Sequence, residues 1–151
     1  MDYPIPLERL SLPEHLNGAL GSNRVNDHRC QIAARNDMEA IRCWLGEYED
    51  SPQTYRNYRK EAERLLLWSI LEQQKPLSSL TREDFQDYEA FLKNPQPTER
   101  WCGSRATRYS AQWRPFLGPL TPGSQHQAMV IINALFSYLC NAGYLHGNPL
   151  S

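Results

Sequence analysis

The stretch from Pro52 to Lys75 constrains the fold most, because after its first residue it contains neither glycine nor proline. Ser51 precedes it as a suitable N-cap, and proline is favoured at the first position of an α-helix. Apolar residues recur at intervals that place them on one helical face, with charged residues opposite. The apolar face comprises Tyr55, Tyr58, Ala62, Leu65, Leu66 and Ser69, and the charged face comprises Arg56, Arg59, Lys60 and Glu63. We therefore predict a helix from about Pro52 to Glu72, with its charged face in water.

Two shorter helices are predicted from their capping signals. One begins after Asn36, whose side chain can accept from the free amides of the first turn, and Glu39 completes a capping-box pattern. The other begins after Thr81, with Asp84 three residues later. We expect them to end at about Tyr48 and near Lys93. Their apolar stripes are Met38, Ile41, Leu45 and Tyr48 in the first helix, and Phe85, Tyr88, Phe91 and Leu92 in the second.

A final helix is predicted to reach about Ala142, where Gly143 offers a left-handed stop. Thr121 or Ser124 can cap its beginning. Its apolar side comprises Ala128, Ile131, Ile132, Leu135, Leu139 and Ala142, and its other side presents His126, Val130, Asn133 and Ser137. No stretch of useful length alternates with the period of a strand. The sequence thus predicts an all-α fold, a compact bundle of four to five helices.

The segments outside these helices are predicted to differ in packing. Residues 1–35 combine several prolines and glycines with a weak apolar pattern, which indicates an N-terminal arm, a loosely packed lead-in or a short lead-in helix. Residues 94–121 contain four prolines and two glycines and cannot form one regular element. This long Pro/Trp-rich loop before the last helix also carries several large aromatic side chains. Because a solvated linker rarely contains so many, we expect the loop to fold back on the helices.

Charge is nearly balanced overall but unevenly distributed. The net charge of −1 and the isoelectric point near 6.4 exclude the strongly basic signature of a histone-like protein. From Arg100 to Ser151, however, there is no Asp or Glu, whereas four arginines occur. This region is a candidate for contact with a polyanion, although an acid-poor loop without such a role fits the same composition.

The cysteines and the amino terminus indicate an intracellular protein. Cys30, Cys43, Cys102 and Cys140 form no C-x-x-C pair and no metal-ligand spacing, which is typical of reduced thiols. The amino terminus lacks a targeting pattern, and no window approaches the ~18 apolar residues of a spanning helix. We expect a cytoplasmic, soluble protein without a metal, a cofactor or a membrane partner.

Three motifs occur in an order that resembles a known domain. They are Ser51-x-x-Thr54-x-x-x-Tyr58-x-x-Glu61-x-x-x-Leu65-x-x-Trp68, then Leu80-Thr81-x-x-Asp84-Phe85-x-x-Tyr88, then Ser124 with the run from Ala128 to Leu139 and Gly143-Tyr144-Leu145-x-x-Asn148-Pro149. Over about residues 37–150 they resemble the core-binding, SAM-like amino-terminal domain of the tyrosine recombinase and phage integrase family. The chain departs from that family in its long segment 94–121 and in the near absence of Arg and Lys from the last helix.

The resemblance implies a clamp on double-stranded DNA. Residues 36–147 would grip one face of the duplex, while a C-terminal catalytic domain of the same polypeptide would cut and rejoin strands on the other. Residues 148–151 would begin the linker to that domain, and other recombinase protomers would be partners on the DNA. The family's catalytic set of arginine, lysine, His-x-x-Arg and tyrosine is missing, so we expect this chain not to be an enzyme. Tyr144 has no Arg/His constellation around it and is interpreted as a core or cap residue.

The resemblance also implies where DNA would be contacted. Basic residues in the opening turns of the long helix would bind phosphates, helped by the positive end of the helix dipole, and hydroxyl groups beside them would add hydrogen bonds. These residues are Thr54, Tyr55, Arg56, Arg59 and Lys60. The outer side of the last helix would contribute Ser124, His126, Gln127, Val130 and Asn133. Accessory contacts would come from Arg105, Arg108 and Arg114. A solvated charged face is the alternative interpretation of the basic residues.

A helical protein-interaction adaptor is the alternative function. In that hypothesis Trp101 and Trp113 are exposed and form a patch on which a partner docks. DNA binding instead requires the arginines after Glu99 to be exposed on the same side as Arg56 and Lys60. Exposed tryptophans would therefore favour the adaptor, whereas exposed arginines after Glu99 would favour DNA binding.

Overall fold

The computed structural model describes residues 2–151, and within them all regular structure is helical apart from two isolated bridges. This confirms the predicted all-α fold. The α-helices are α1 (Asp37–Gly46), α2 (Pro52–Leu71), α3 (Arg82–Lys93), α4 (Thr98–Trp101) and α5 (Pro122–Asn141), and short 3-10 helices span Leu7–Arg9, Glu14–Leu16 and Leu77–Ser79.

The helices begin where the capping signals predicted, with two corrections to the caps themselves. The side chain of Asn36 accepts from the amide of Glu39 at 3.0 Å, but the carboxylate of Glu39 accepts from the amide of Arg35 and not from that of Asn36, so the predicted capping box is not formed. Thr81 forms a complete capping box at the start of α3. Thr121 caps α5 by accepting from the amide of Ser124 at 3.2 Å. Ser51 stands at the N-cap position of α2, but its side chain makes no capping hydrogen bond. The fixed backbone angle of Pro52, rather than a hydroxyl cap, favours the start of this helix.

The central helix α2 is buried more completely than its sequence predicted. It packs against α1 and α5, and Leu65 and Leu66 are both 0% exposed, which confirms the predicted apolar face. From Glu61 to Ile70, however, every residue except Arg64 is buried. The expectation that Glu63 lies on a solvated face is therefore wrong. Burial of its carboxylate is tolerated because the carboxylate accepts hydrogen bonds from the amide of Leu7 and from Arg108.

Residues 2–35 are packed against the bundle, which corrects the expectation of a loose lead-in. Leu7, Leu16 and Val25 are buried, although the only helices here are two 3-10 turns. The segment is also joined by its backbone to the far end of the chain. The amide of Val25 donates to the carbonyl of Tyr144 at 3.1 Å, and the amide of Gln31 donates to that of Ala142 at 2.7 Å. The spacing of apolar residues along the sequence gives no indication of such hydrogen bonds.

The loop over residues 94–121 folds back on the helices, as predicted. Its backbone closes on itself, because the amide of Phe116 donates to Trp101 and the amide of Gly103 donates to Phe116. Both aromatic rings are buried against Phe91 of α3. The short helix α4 brings the indole Nε1 of Trp101 within 2.5 Å of Oε2 of Glu72, which accepts its hydrogen bond.

Asp37, the first residue of α1, is fully buried and joins distant segments of the chain. One oxygen accepts from the hydroxyl of Tyr144, and the other accepts from the amide and hydroxyl of Ser78. Gly18 lies against this carboxylate with φ +82°, and a Cβ there would fall 2.0 Å from Oδ2. Tyr144 is itself fully buried, which confirms that it is a core residue.

Candidate nucleic-acid interface

The opening turns of α2 expose two of the predicted cations. Arg56 and Lys60 lie four residues apart and are both exposed. Arg56 donates to the amide oxygen of Gln53 at 2.8 Å, and the ammonium of Lys60 lies 4.0 Å from the carboxylate of Glu61. Neither interaction is a tight ion pair, so both cations remain able to meet an external anion. Thr54 and Tyr55, which were predicted beside them, are half-buried.

Arg59, unlike Arg56 and Lys60, is closely paired within the chain. Its guanidinium lies 3.0 Å from Oε2 of Glu8, which belongs to the first 3-10 helix. The same guanidinium lies over the ring of Tyr55. The predicted trio of basic residues is thus divided into two exposed cations and one that an internal carboxylate neutralises.

Arg108 is also neutralised within the chain. It bridges two carboxylates, contacting Oε1 of Glu8 at 2.6 Å and Oε2 of the buried Glu63. Partial burial would raise the pKa of Glu8, but hydrogen bonds and charge from Arg108, together with the charge of Arg59, lower it to about 2. Burial raises the pKa of Glu63, against the opposing effect of Arg108. Through these two ion pairs Arg108 joins the loop to the first 3-10 helix and to α2.

The other two accessory arginines differ from each other. Arg114 donates to the backbone carbonyls of Glu99 and Trp113 and lies over the ring of Tyr3, so it fixes the conformation of the loop. Arg105 is exposed and makes no side-chain hydrogen bond or ion pair with any residue from 2 to 151. Only Arg105 of the three is thus placed as a readily available cation. The exposure that DNA binding would require of the arginines after Glu99 is therefore found at Arg105 but not at Arg108 or Arg114.

The outer face of α5 is exposed along its first three turns, as the sequence indicated. All five predicted residues on this face are exposed, and none of them is Asp, Glu, Lys or Arg. Val130 is 51% exposed, so its methyl groups are accessible from solvent. The Oδ1 atom of Asn133 accepts from the side chain of Asn148 at 2.8 Å, which leaves its amide hydrogens available. The five residues are Ser124, His126, Gln127, Val130 and Asn133.

The proposed aromatic docking patch of the adaptor hypothesis is contradicted. Trp101 is 0% exposed and Trp113 is half-buried, with Arg108 over its ring. Both side chains pack the loop onto the bundle instead of presenting a surface. An adaptor function would need a different patch.

Metal-ligating clusters, cavities and long apolar helices are the other features of residues 2–151 that bear on function. No three His, Cys, Asp or Glu side chains in this range are placed to hold a metal ion. A cavity of about 550 Å³ opens between the segment around His28 and the end of α5 near Cys140, but it is wide open to solvent. No helix in the described part of the chain is long and apolar enough to cross a membrane.

Comparisons with known proteins give no relative for this chain. No family model, no curated protein and no solved structure matches it. The functional proposal therefore rests on the residues of this chain and their arrangement.

Proposed function

We propose that the chain is a DNA-binding domain of the SAM-like, core-binding type, which clamps duplex DNA for a site-specific tyrosine recombinase or integrase. A separate C-terminal catalytic domain would perform strand cleavage, integration and joining. The observation that carries the proposal is the exposed outer face of α5. It combines short polar side chains with one apolar residue and contains no carboxylate.

Such a face suits the major groove of DNA. The groove admits an α-helix, and Asn or Gln can pair with the N6 and N7 edge of adenine. Asn133 and Gln127 supply these amides, while the exposed methyl groups of Val130 suit the methyl group of thymine. A carboxylate on this face would be repelled by the phosphate backbone, and none is present from Arg100 to the last residue.

Phosphate contacts would come from the cations that the chain leaves exposed. Arg56 lies in the second turn of α2 and Lys60 lies one turn further along the helix, and both side chains are exposed. Arg105 adds a third cation from the loop. With about three phosphate contacts, the logarithm of the binding constant should fall with the logarithm of salt concentration with a slope of roughly −3. Binding by this domain alone is therefore expected to be weak and to depend on salt.

The chain itself is proposed to carry out no covalent step. Tyr144 could serve as a nucleophile only if its hydroxyl could reach a phosphate, but that group is buried and donates to Asp37 at 2.6 Å. No strand cleavage and no covalent protein–DNA adduct are expected from it.

The proposal is tested by titrating labelled duplex DNA at several salt concentrations. The double variant R56Q/K60Q should weaken binding to all sequences and reduce the salt slope by roughly 0.9 for each phosphate that is no longer neutralised. N133A should instead reduce discrimination between target sequences by about 1–3 kcal/mol at one position, with the slope nearly unchanged. N133A is measured on preferred duplexes that are first selected from a random pool with the wild type.

The matched control is R35Q/K93Q, which removes the same charge from exposed positions on other parts of the bundle. It should bind DNA almost as the wild type does. Equal losses in R56Q/K60Q and in the control would mean that only net charge matters, and the proposed docking face would be wrong. Absence of binding by the wild type, even at low salt, would remove the DNA-binding proposal altogether.

A further inference from the structure

Residues 3–9, here called the N-terminal strap, lie across the loop that precedes α5. Three pairs of side chains connect them. The guanidinium of Arg114 lies 4.4 Å from the ring centroid of Tyr3, and that of Arg9 lies 4.3 Å from the ring centroid of Tyr109. Between them, Glu8 forms its ion pair with Arg108. The strap thus covers the same loop that carries the predicted accessory arginines.

The carboxylate of Glu8 is held as an anionic ligand would be held. It accepts from the guanidinium of Arg59 at 3.0 Å, from that of Arg108 at 2.6 Å and from the hydroxyl of Tyr109 at 3.2 Å. These donors come from α2 and from the loop, and they converge on one small group. Two guanidinium groups and a hydroxyl are the donors that proteins use for carboxylates and phosphates alike.

The ion-paired charges at Glu8 balance only while Glu8 is present. Arg59 and Arg108 contribute two positive charges, and the carboxylates of Glu8 and Glu63 that they pair with contribute two negative charges, so these four groups sum to zero. Without Glu8 the sum is +1, because Glu63 is buried behind Arg108 and stays in place through the amide of Leu7. Arg9, which lies over the ring of Tyr109, adds a further positive charge nearby. The vacated position would therefore attract another anion.

We propose that Arg59, Arg108 and Tyr109 form a phosphate-binding site that Glu8 occupies in the free protein. A phosphate of the DNA backbone would displace the carboxylate and add a contact that the free protein masks. This inference rests on the proposed DNA-binding function for its ligand, although the site itself would take any phosphate.

Displacement of Glu8 does not require the strap to unfold. Leu7 is buried in the core and anchors the first 3-10 helix, whereas the side chain of Glu8 is 37% exposed. Rotation of that side chain is enough to move its carboxylate into water. The pKa of about 2 means that Glu8 is ionised at neutral pH, so competition by a stronger anion, and not protonation, would release it.

The test compares the wild type with Glu8→Gln, which keeps the shape of the side chain and removes its charge. Glu14→Gln is the matched control, since Glu14 is exposed in the second 3-10 helix and forms no ion pair within residues 2–151. Inorganic phosphate is titrated while the Nε–Hε signals of arginine are followed by NMR. In E8Q the signals of Arg59 and Arg108 should shift and saturate, whereas wild type and E14Q should show much smaller shifts.

The same variants are then titrated with duplex DNA. E8Q should bind more tightly than wild type, and its salt slope should steepen by roughly 0.9 for one added phosphate contact. The double variant E8Q/R108Q should lose both the gain in affinity and the response to phosphate. If E8Q does not fold, E8A, which removes the carboxylate altogether, replaces it with the same expected and contrary results.

The outcomes separate this inference from the proposed function. If E8Q shows no specific phosphate response while wild type binds DNA, the phosphate site is refuted and the DNA-binding proposal stands. If E8Q binds phosphate through Arg59 and Arg108 while neither protein binds DNA, the site is supported and the proposed function is refuted. Equal phosphate responses in E8Q and wild type would also overturn the idea that Glu8 blocks the site.

Discussion

The hydroxyl of Tyr144 donates a 2.6 Å hydrogen bond to Oδ1 of Asp37, a residue that lies 107 positions earlier in the chain. Both residues are fully buried, so the bond connects the start of α1 to the segment after α5 inside the core. Burial raises the pKa of Asp37, and the bonds from Tyr144 and Ser78 oppose that effect. A buried carboxylate is tolerated here because hydrogen-bond donors surround it.

Tyr144→Phe should destabilise the fold by about 1–3 kcal/mol, because it leaves one oxygen of buried Asp37 without its donor. The free energy of unfolding in urea measures this change. Tyr3→Phe is the control, since Tyr3 is exposed and keeps its ring under Arg114. Equal stability of Y144F and wild type would show that water or another donor replaces the tyrosine hydroxyl.

Gly143→Ala and Gly123→Ala should have opposite effects. Gly143 has φ +78°, and a Cβ there would lie 2.5 Å from the carbonyl oxygen of Arg29, so alanine should cost about 1–3 kcal/mol. Gly123 lies in the first turn of α5 with open space around it, and alanine there should stabilise the protein by about 0.4–1 kcal/mol. Thermal unfolding of both variants checks the pair, and a loss of stability in G123A would contradict the described start of α5.

Leu65→Ala and Leu135→Ala should each cost about 2–5 kcal/mol, because both side chains are 0% exposed at the contact of α2 with α5. Leu20→Ala provides the surface control, since Leu20 is 94% exposed. Urea unfolding curves for the three variants give the comparison. Similar small losses in all three would mean that the core lies elsewhere.

The ion pairs of Glu8 predict a specific acid sensitivity. Its pKa is lowered in the folded protein from 4.5 to about 2, so its contribution to stability is present above the unfolded pKa and is lost as pH falls through that interval. Between about pH 5 and about pH 2, wild type should lose roughly 1 kcal/mol more than E8Q, a modest value because Glu8 is partly exposed. Unfolding measured across this range tests the prediction, and E14Q should follow wild type. Parallel curves for E8Q and wild type would show that the pairs contribute nothing.

The sequence was sufficient to predict the four longer helices, α1, α2, α3 and α5, because their signals are local, but it did not predict the four-residue α4. Asn36, Thr81 and Thr121 cap helices that begin at the next residue, and the stripe of α2 places Leu65 in the core. These features depend on residues within a few positions of each other. Apolar periodicity therefore predicted the fold class, and the capping residues predicted where α1, α3 and α5 begin.

The candidate site could be predicted only in part, because the pairing of its charges is not local. Glu63 stands on the polar side of a helical wheel, and no rule of spacing connects it to Arg108, 45 positions later. Glu8 pairs with Arg59 at a separation of 51 positions. From the sequence, Arg59 and Arg108 were predicted to be available for phosphate contacts, and no role was predicted for Glu8. By contrast, the exposure of Asn133 and Val130 was predictable, because it follows from the apolar stripe on the other side of α5.

The hydrogen bonds between Asn23 and Gly147 have a consequence for the rate at which the protein folds. They join residues 124 positions apart, and the pair of Glu8 with Arg108 spans 100. Contacts this distant can form only after most of the chain has been made, and closing such long loops costs conformational entropy before any contact repays it. Isolated helices form within about a microsecond. We expect the folding rate to be set by the late docking of residues 2–35 onto assembled helices, and therefore to be lower than that of a bundle built from neighbouring helices alone.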